Sequence, residues 1–214
     1  MKVYADNAAT TKISEAALEK LNNCILENFG NPSSLYRIGQ DAKKELEDSR
    51  EKVASLIGAS PKEIFFSSGG SESDNWAIMS AAEIGKREDK KHIISTKFEH
   101  HAVLHTLEKL EKQEFEITLL DVYENGIIKL EDLEDAIRED TCLVTIMYAN
   151  NEIGTVQPIK EIGEICKKHD VLFHTDAVQA IGHLPINVEE ENIDMLSASA
   201  HKFHGPKGGW LSIC

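Results

Sequence analysis

Apolar residues recur along this chain with two different periods, and the change between them outlines the fold. From Ser14 onward, Ala17, Leu18, Leu21, Ile25 and Phe29 fall at helical spacing, with Gly30 as a stop. After the turn cluster Asn31-Pro-Ser-Ser34, a second helix carries Ala42, Leu46, Val53, Leu56 and Ile57 on one face and ends at Gly58. Residues 3–12 are small and polar after a short apolar start, which predicts an ordered loop.

Beyond Gly58 short apolar runs alternate with helical stretches. The strand candidates are Glu63–Ser67, His92–Thr96, Phe115–Leu120, Cys142–Tyr148, Val171–Thr175 and Asp194–Ser197. Between them lie helical stretches at Ser73–Ile84, Ala102–Lys112, Leu130–Glu139 and Pro158–His169, the last opening with proline in its first turn. Continuous apolar strands separated by helices predict a mostly parallel sheet sandwiched by helices, in one α/β domain. In such sheets ligands bind beyond the carboxyl ends of the strands. Five polar clusters fall at those ends: Ser67–Asn75, Phe98–His101, Asn150–Gly154, Asp176–Gln179 and Ser199–Lys202.

Composition narrows the function classes. The formal net charge is −14, from 23 basic and 37 acidic side chains, so no nucleic-acid or anionic-membrane contact is expected. No run approaches a membrane span, and Met1-Lys-Val-Tyr-Ala-Asp6 has no apolar leader. The cysteines, Cys24, Cys142, Cys166 and Cys214, form no CxxC pair; the first three read as buried small hydrophobes and predict a reducing, cytoplasmic setting.

The strand-end clusters carry the chemistry. Lys202 sits between two histidines, after the apolar run Ile193–Ser199 and before a Gly-Pro turn. A lysine held there is partly desolvated, which lowers its pKa and frees the amine to attack a carbonyl; the plain alternative is a surface lysine. Glycines in Ser68-Gly-Gly-Ser-Glu-Ser-Asp-Asn75 let the backbone approach an anion at a helix start. Ser71 is expected to cap that helix, with Asp74 completing a capping box. The stretch lacks the spacing and terminal Gly-Lys of a P-loop. Asp176, after a strand, suits a protonated pyridine nitrogen, or else caps a helix. Phe98-Glu-His-His101 offers an imidazole to stack on a flat cofactor. His101 and His105 have zinc-compatible spacing but no recognisable third ligand, so no metal is expected. Asn151 offers an amide to a ring hydroxyl or a substrate carboxylate.

Taken together the motifs resemble pyridoxal-phosphate enzymes of the aspartate-aminotransferase fold type, and within them the cysteine desulfurases of the class V aminotransferase family. The resemblance rests on Asp6-Asn-Ala-Ala-Thr-Thr11, Gly30-Asn-Pro-Ser-Ser34, Ser68–Asn75, Glu99-His-His-Ala102, Asn150-Asn-Glu-Ile-Gly154, His174-Thr-Asp-Ala-Val-Gln179 and Ser199-Ala-His-Lys202 through Gly208. It implies that residues 1–214 are the large cofactor-binding domain with an N-terminal helical segment. It implies pyridoxal 5′-phosphate bonded to Lys202, which also moves the substrate α-proton, with His100 stacked on the ring. Asp176 then pairs with the ring nitrogen, Gln179 and Asn151 face the ring hydroxyl, and Gly70, Ser71, Ser199 and His201 hold the phosphate. The implied reaction converts L-cysteine to L-alanine and an enzyme persulfide, in a homodimer that serves an iron–sulfur scaffold or another sulfur acceptor. Two alternatives stand beside it: a fragment without catalysis, acting if at all as an interaction protein, and a related lyase or aminotransferase.

Ser71 stands where the family usually has threonine, and Tyr36 where histidine often follows the Asn-Pro-Ser-Ser turn. The family's small C-terminal domain, with its nucleophilic cysteine and substrate-carboxylate arginine, has no counterpart in the sequence. Gly209-Trp-Leu-Ser-Ile-Cys214 replaces an apolar strand of the type Val-Gly-Phe-Leu-Tyr-Val. Dropping one base from permitted codons for these residues restores Val-Gly-Phe-Leu-Tyr, so a frameshift after Gly208 is expected, and truncation predicts poor solubility.

Overall fold

The structure, a computed structural model, describes residues 1, 3–208 and the backbone of 210–213. Gly209 and Cys214, which belong to the unusual ending, lie outside the described residues.

The chain forms α1 (Glu15–Glu27), α2 (Arg37–Ile57), β1 (Ile64–Ser67), α3 (Gly70–Arg87), β2 (His92–Thr96), α4 (His101–Glu111) and β3 (Glu116–Leu120). It continues through α5 (Leu130–Ala136), β4 (Thr141–Thr145), α6 (Ile159–Lys168), β5 (Leu172–Asp176), β6 (Met195–Ser199) and β7 (Trp210–Ile213). The alternation anticipated from the sequence is present, with ends shifted by a few residues. Cys142–Tyr148 shortens to β4 ending at Thr145, and the Leu130 helix stops at Ala136 rather than Glu139. Pro158 stands at the cap of α6 and not inside its first turn.

One sheet holds all seven strands, in the order β1-β7-β6-β5-β4-β2-β3. β3, β2, β4, β5 and β6 run parallel, while β7 is antiparallel to both β6 and β1. Two antiparallel steps leave β1 parallel to β6. The carboxyl ends of β1, β2, β4, β5 and β6 therefore share one edge.

β2, β4 and β6 are buried along their whole length. Successive strand residues point to opposite faces, and the core divides accordingly. Ile93, Leu143 and Met195 pack with Ala77, Ile78 and Ala81 of α3 and Val103, Leu107 and Leu110 of α4. Their neighbours Ile94, Val144 and Leu196 pack the other way, with Ala54 and Ile57 of α2, Leu133 of α5 and Ile162 and Cys166 of α6. Gly58 closes α2 at φ 70°, a left-handed conformation that costs glycine little.

Some apolar positions on the predicted helix faces stay in water. No residue of α1 is buried, and Leu56 of α2 is 79% exposed. Cys142 and Cys166 are buried as expected, but Cys24 on α1 is only half-buried.

Candidate active site

A cavity of about 560 Å³ opens at the carboxyl edge of the sheet. Its walls include Gly70, Ser71, His100, Asn151, Asp176, Gln179, His201 and Lys202, drawn from all five strand-end clusters. Of the cofactor residues expected from the resemblance, only Ser199 is absent from this wall. It ends β6 with its Oγ buried and unpartnered among the described residues.

The start of α3 differs from expectation. Its N-cap is Gly69, with extended backbone and no side-chain hydrogen bond, so Ser71 lies in the first turn and caps nothing. Asp74 closes no capping box; it is 1% exposed and lines the cavity. Glu72 instead folds back onto the Ser68 backbone N–H and hydroxyl at 2.5 and 2.7 Å. A helix start without a side-chain cap presents N–H groups and the positive end of the dipole to the cavity, a setting suited to phosphate.

Lys202 lies in the single 3-10 turn Ala200–Lys202 that follows β6. Burial lowers its amine pKa below the usual lysine value, opposed by Asp176 and Asp6. Its Nζ donates to the carbonyl oxygen of Ala8, and Gln179 Nε2 donates to the same oxygen at 3.0 Å. The N-terminal loop is thus laid across the lysine turn. Thr11 N–H and Oγ1 both reach His201 O at 2.8 Å, Thr10 Oγ1 meets His201 Nδ1 at 2.9 Å, and His204 N–H reaches Thr11 Oγ1 at 2.7 Å. These contacts join residues 190 to 193 positions apart in sequence, so only the folded chain assembles them. The loop was legible as ordered; its hold on Lys202 was not.

Asp176 is the last residue of β5, 5% exposed, and its Oδ1 accepts from Val178 N–H at 2.9 Å. Burial raises its pKa, while the Val178 bond, His100 and Lys202 oppose the rise. His100 caps α4, accepting from Ala102 N–H at 3.2 Å, and is exposed on the cavity wall. Below Asp176, His174 spans Thr145 Oγ1 at 2.8 Å and Ser197 Oγ at 3.0 Å, and complete burial lowers its pKa to about 3. It is a neutral strut. His101 and His105 stack at 5.5 Å between ring centroids on the exposed side of α4.

Two acidic residues of the site escaped the sequence reading. Asp74, three residues after Ser71, reads in sequence as an ordinary capping-box acid. Glu99 carries no periodic mark at all, yet it is 6% exposed and ties two strand ends together. Its Oε1 accepts from Thr96 Oγ1 at 2.6 Å and from Met147 N–H at 3.0 Å. Asn150 Nδ2, donating to Phe98 O at 3.1 Å, makes a second tie between the same loops.

The donor set fits pyridoxal phosphate: an uncapped helix start for the phosphate, a buried carboxylate for the ring nitrogen and a desolvated lysine for the aldehyde. Comparison with known proteins agrees. The family model described as Aminotransferase class-V matches residues 3–212. A cysteine desulfurase IscS of Clostridium botulinum is 54% identical over 97% of this chain and 52% of its own length. One from Methanosarcina thermophila is 55% identical over 96% of this chain and 51% of its own. Among solved structures, a NifS-like protein superposes with a TM-score of 0.96 at 45% identity, covering the whole of this chain and 59% of that one. A structure titled SspA in complex with cysteine gives 0.95 at 42% identity, over 99% of this chain and 61% of that one. The chain spans about half the length of the curated relatives it matches. Class-V aminotransferases and cysteine desulfurases depend on pyridoxal phosphate, and this chain, matched along nearly all its length, belongs to the class-V aminotransferase family.

Proposed function

We propose that this chain holds pyridoxal 5′-phosphate and forms the cofactor-binding part of a cysteine desulfurase, which takes sulfur from L-cysteine as a persulfide and leaves L-alanine. The observation that carries this reading is one cavity containing a desolvated Lys202, a buried Asp176 and the uncapped start of α3. The bound cofactor supplies an electron sink for negative charge developing at the substrate Cα. Lys202 would carry the cofactor and move the Cα proton through Nζ; His100 would stack on the ring and share in proton handling. Asp176 would accept from the ring N–H, and Gln179 and Asn151 would serve the ring hydroxyl. The backbone at Gly70 and the side chains of Ser71 and His201 would hold the phosphate, with Ser199 proposed beside them although it is absent from the cavity wall.

The described cysteines do not suit the sulfur-accepting step. Burial pushes the Cys142 thiol up to about 11 and Cys166 up to about 12, which suppresses the thiolate. Cys24 does not line the cavity. In this reading the accepting thiol comes from outside the described residues. The finer parts of the proposal are a homodimer delivering sulfur to an iron–sulfur scaffold or another acceptor, in a reducing, cytoplasmic setting suited to free cysteines. No helix among the described residues is long and apolar enough to cross a membrane. Residues 1–214 are proposed as the large domain of that enzyme.

Addition of pyridoxal phosphate to the purified chain should produce a visible absorbance band, and borohydride should fix the cofactor on the Lys202 peptide. Lys202→Ala should reduce the trapped adduct at least a hundredfold. A chain that gives no band and no adduct sinks the cofactor reading. If the loaded chain responds equally to cysteine and to amino-acid/keto-acid pairs, the reaction class is that of an aminotransferase instead.

A further inference from the structure

Asp74 is the one buried acid on the cavity wall to which the proposed reaction gives no task. It sits in the second turn of α3 at 1% exposure, with Oδ1 buried and unpartnered among the described residues. A carboxylate oxygen of Asp74, one of Asp176 and a ring nitrogen of His100 lie within 4.8 Å of one another. Two buried carboxyls this close do not both ionise readily, because each charge disfavours the other and water is absent to screen them.

The surrounding groups decide which one keeps a proton. From β5, His174 Nε2 approaches Asp74 Oδ1 at 3.8 Å, but that imidazole is neutral and brings no charge. From β6, the Ser197 hydroxyl favours the ionised form, while Glu99 in the loop before α4 disfavours it. Burial is the largest influence on Asp74 and drives its pKa well above the usual carboxylate range, with Asp176 adding to the rise. His100 and Lys202 favour the ionised form of Asp176, which accepts a backbone N–H besides. Only the Ser197 hydroxyl opposes protonation of Asp74, and burial outweighs it, whereas the Val178 N–H, His100 and Lys202 all favour the ionised form of Asp176.

We propose that Asp74 and Asp176 carry one negative charge between them, with Asp74 as the protonated member that keeps the carboxylate facing the ring nitrogen singly charged and in place. Asp74 is thus a positioning residue. It presents a neutral O–H donor beside Asp176, and the pair's single charge matches a single pyridinium. This rests on the cofactor reading for its purpose; the protonation itself does not.

The test is therefore made first on the cofactor-free protein. Infrared spectra of wild type labelled with [4-13C]aspartate should show a protonated aspartate carbonyl band at pH 7, distinct from unlabelled Glu99. Asp74→Asn should remove that band. Absence of the band in wild type overturns the proposal and needs no variant to fold, and persistence of the band in a folded Asp74→Asn protein overturns the assignment to Asp74. Titration with pyridoxal phosphate then reads the purpose. An amide replaces a neutral acid, so Asp74→Asn should bind within about threefold of wild type. A tenfold loss in folded protein would show that the charge of Asp74 was needed. Failure of wild type to bind the cofactor, with the band present, would sink the cofactor reading and leave the shared proton standing.

Discussion

α1 and α3 are both helices that apolar spacing announces, yet they end in opposite environments. α3 buries eight of its 18 residues between the sheet and α4, and its first turn faces the cavity. α1, 13 residues long and capped by Ser14 through the Ala17 N–H, buries none. Ile25 is 61% exposed and Phe29, just beyond its end, 72%. The same periodicity thus yields burial only where another element supplies a face. Spacing states which side of a helix is apolar; it does not state what that side meets.

The largest expected effect lies on the sheet. Phe173 is fully buried on β5, within the run that delivers Asp176. Phe173→Ala should cost about 3–5 kcal/mol of unfolding free energy in denaturant melts, through lost burial and the cavity left behind. A cost below 1 kcal/mol would remove the contrast between the two regions.

An intermediate effect is expected where polar groups tie the cavity loops to the core. Burial raises the pKa of Glu99 from 4.5 to about 8. Between those values the native chain keeps a proton that the unfolded chain releases. Stability is therefore lost as pH rises through the window, by up to about 1.4 kcal/mol per pH unit from this group. Glu99→Gln retains an acceptor for Thr96 and Met147 and should flatten that dependence between pH 5 and 8. Parallel pH–stability curves for variant and wild type would mean that Glu99 is already ionised when folded.

The smallest effect belongs to α1. Ile25→Ser should change stability by no more than about 0.5 kcal/mol, because the side chain already meets water. A loss of 2 kcal/mol or more in melts of the isolated chain would mean that α1 is covered in solution, and would favour the proposed self-association.

Much of the site was legible because its residues cluster locally. Lys202, Asp176, His100 and Gly70 each stand at a strand end, and a parallel sheet gathers such ends at one edge. Ser71 was misread as a cap because serine ahead of an acid is the ordinary mark of a helix start, whereas Gly69 begins the helix two residues earlier. The position of β7 between β1 and β6 was not legible, since strand order depends on which edges remain open after the others pair.

By itself the sequence determined the local periods, the helix stops, the strand-end chemistry and, through its motifs, the family. Tertiary structure alone decided that Ala8 holds Lys202 and Gln179, that Glu99 bridges two loops, and that Asp74 faces Asp176. The physical reason is range. Hydrogen-bonding and hydrophobic preferences of neighbours act over a few residues and are written in local spacing. The pKa of a buried acid or lysine depends on charges and desolvation contributed by segments distant in sequence, and these come within a few ångströms only once the sheet has closed around its core.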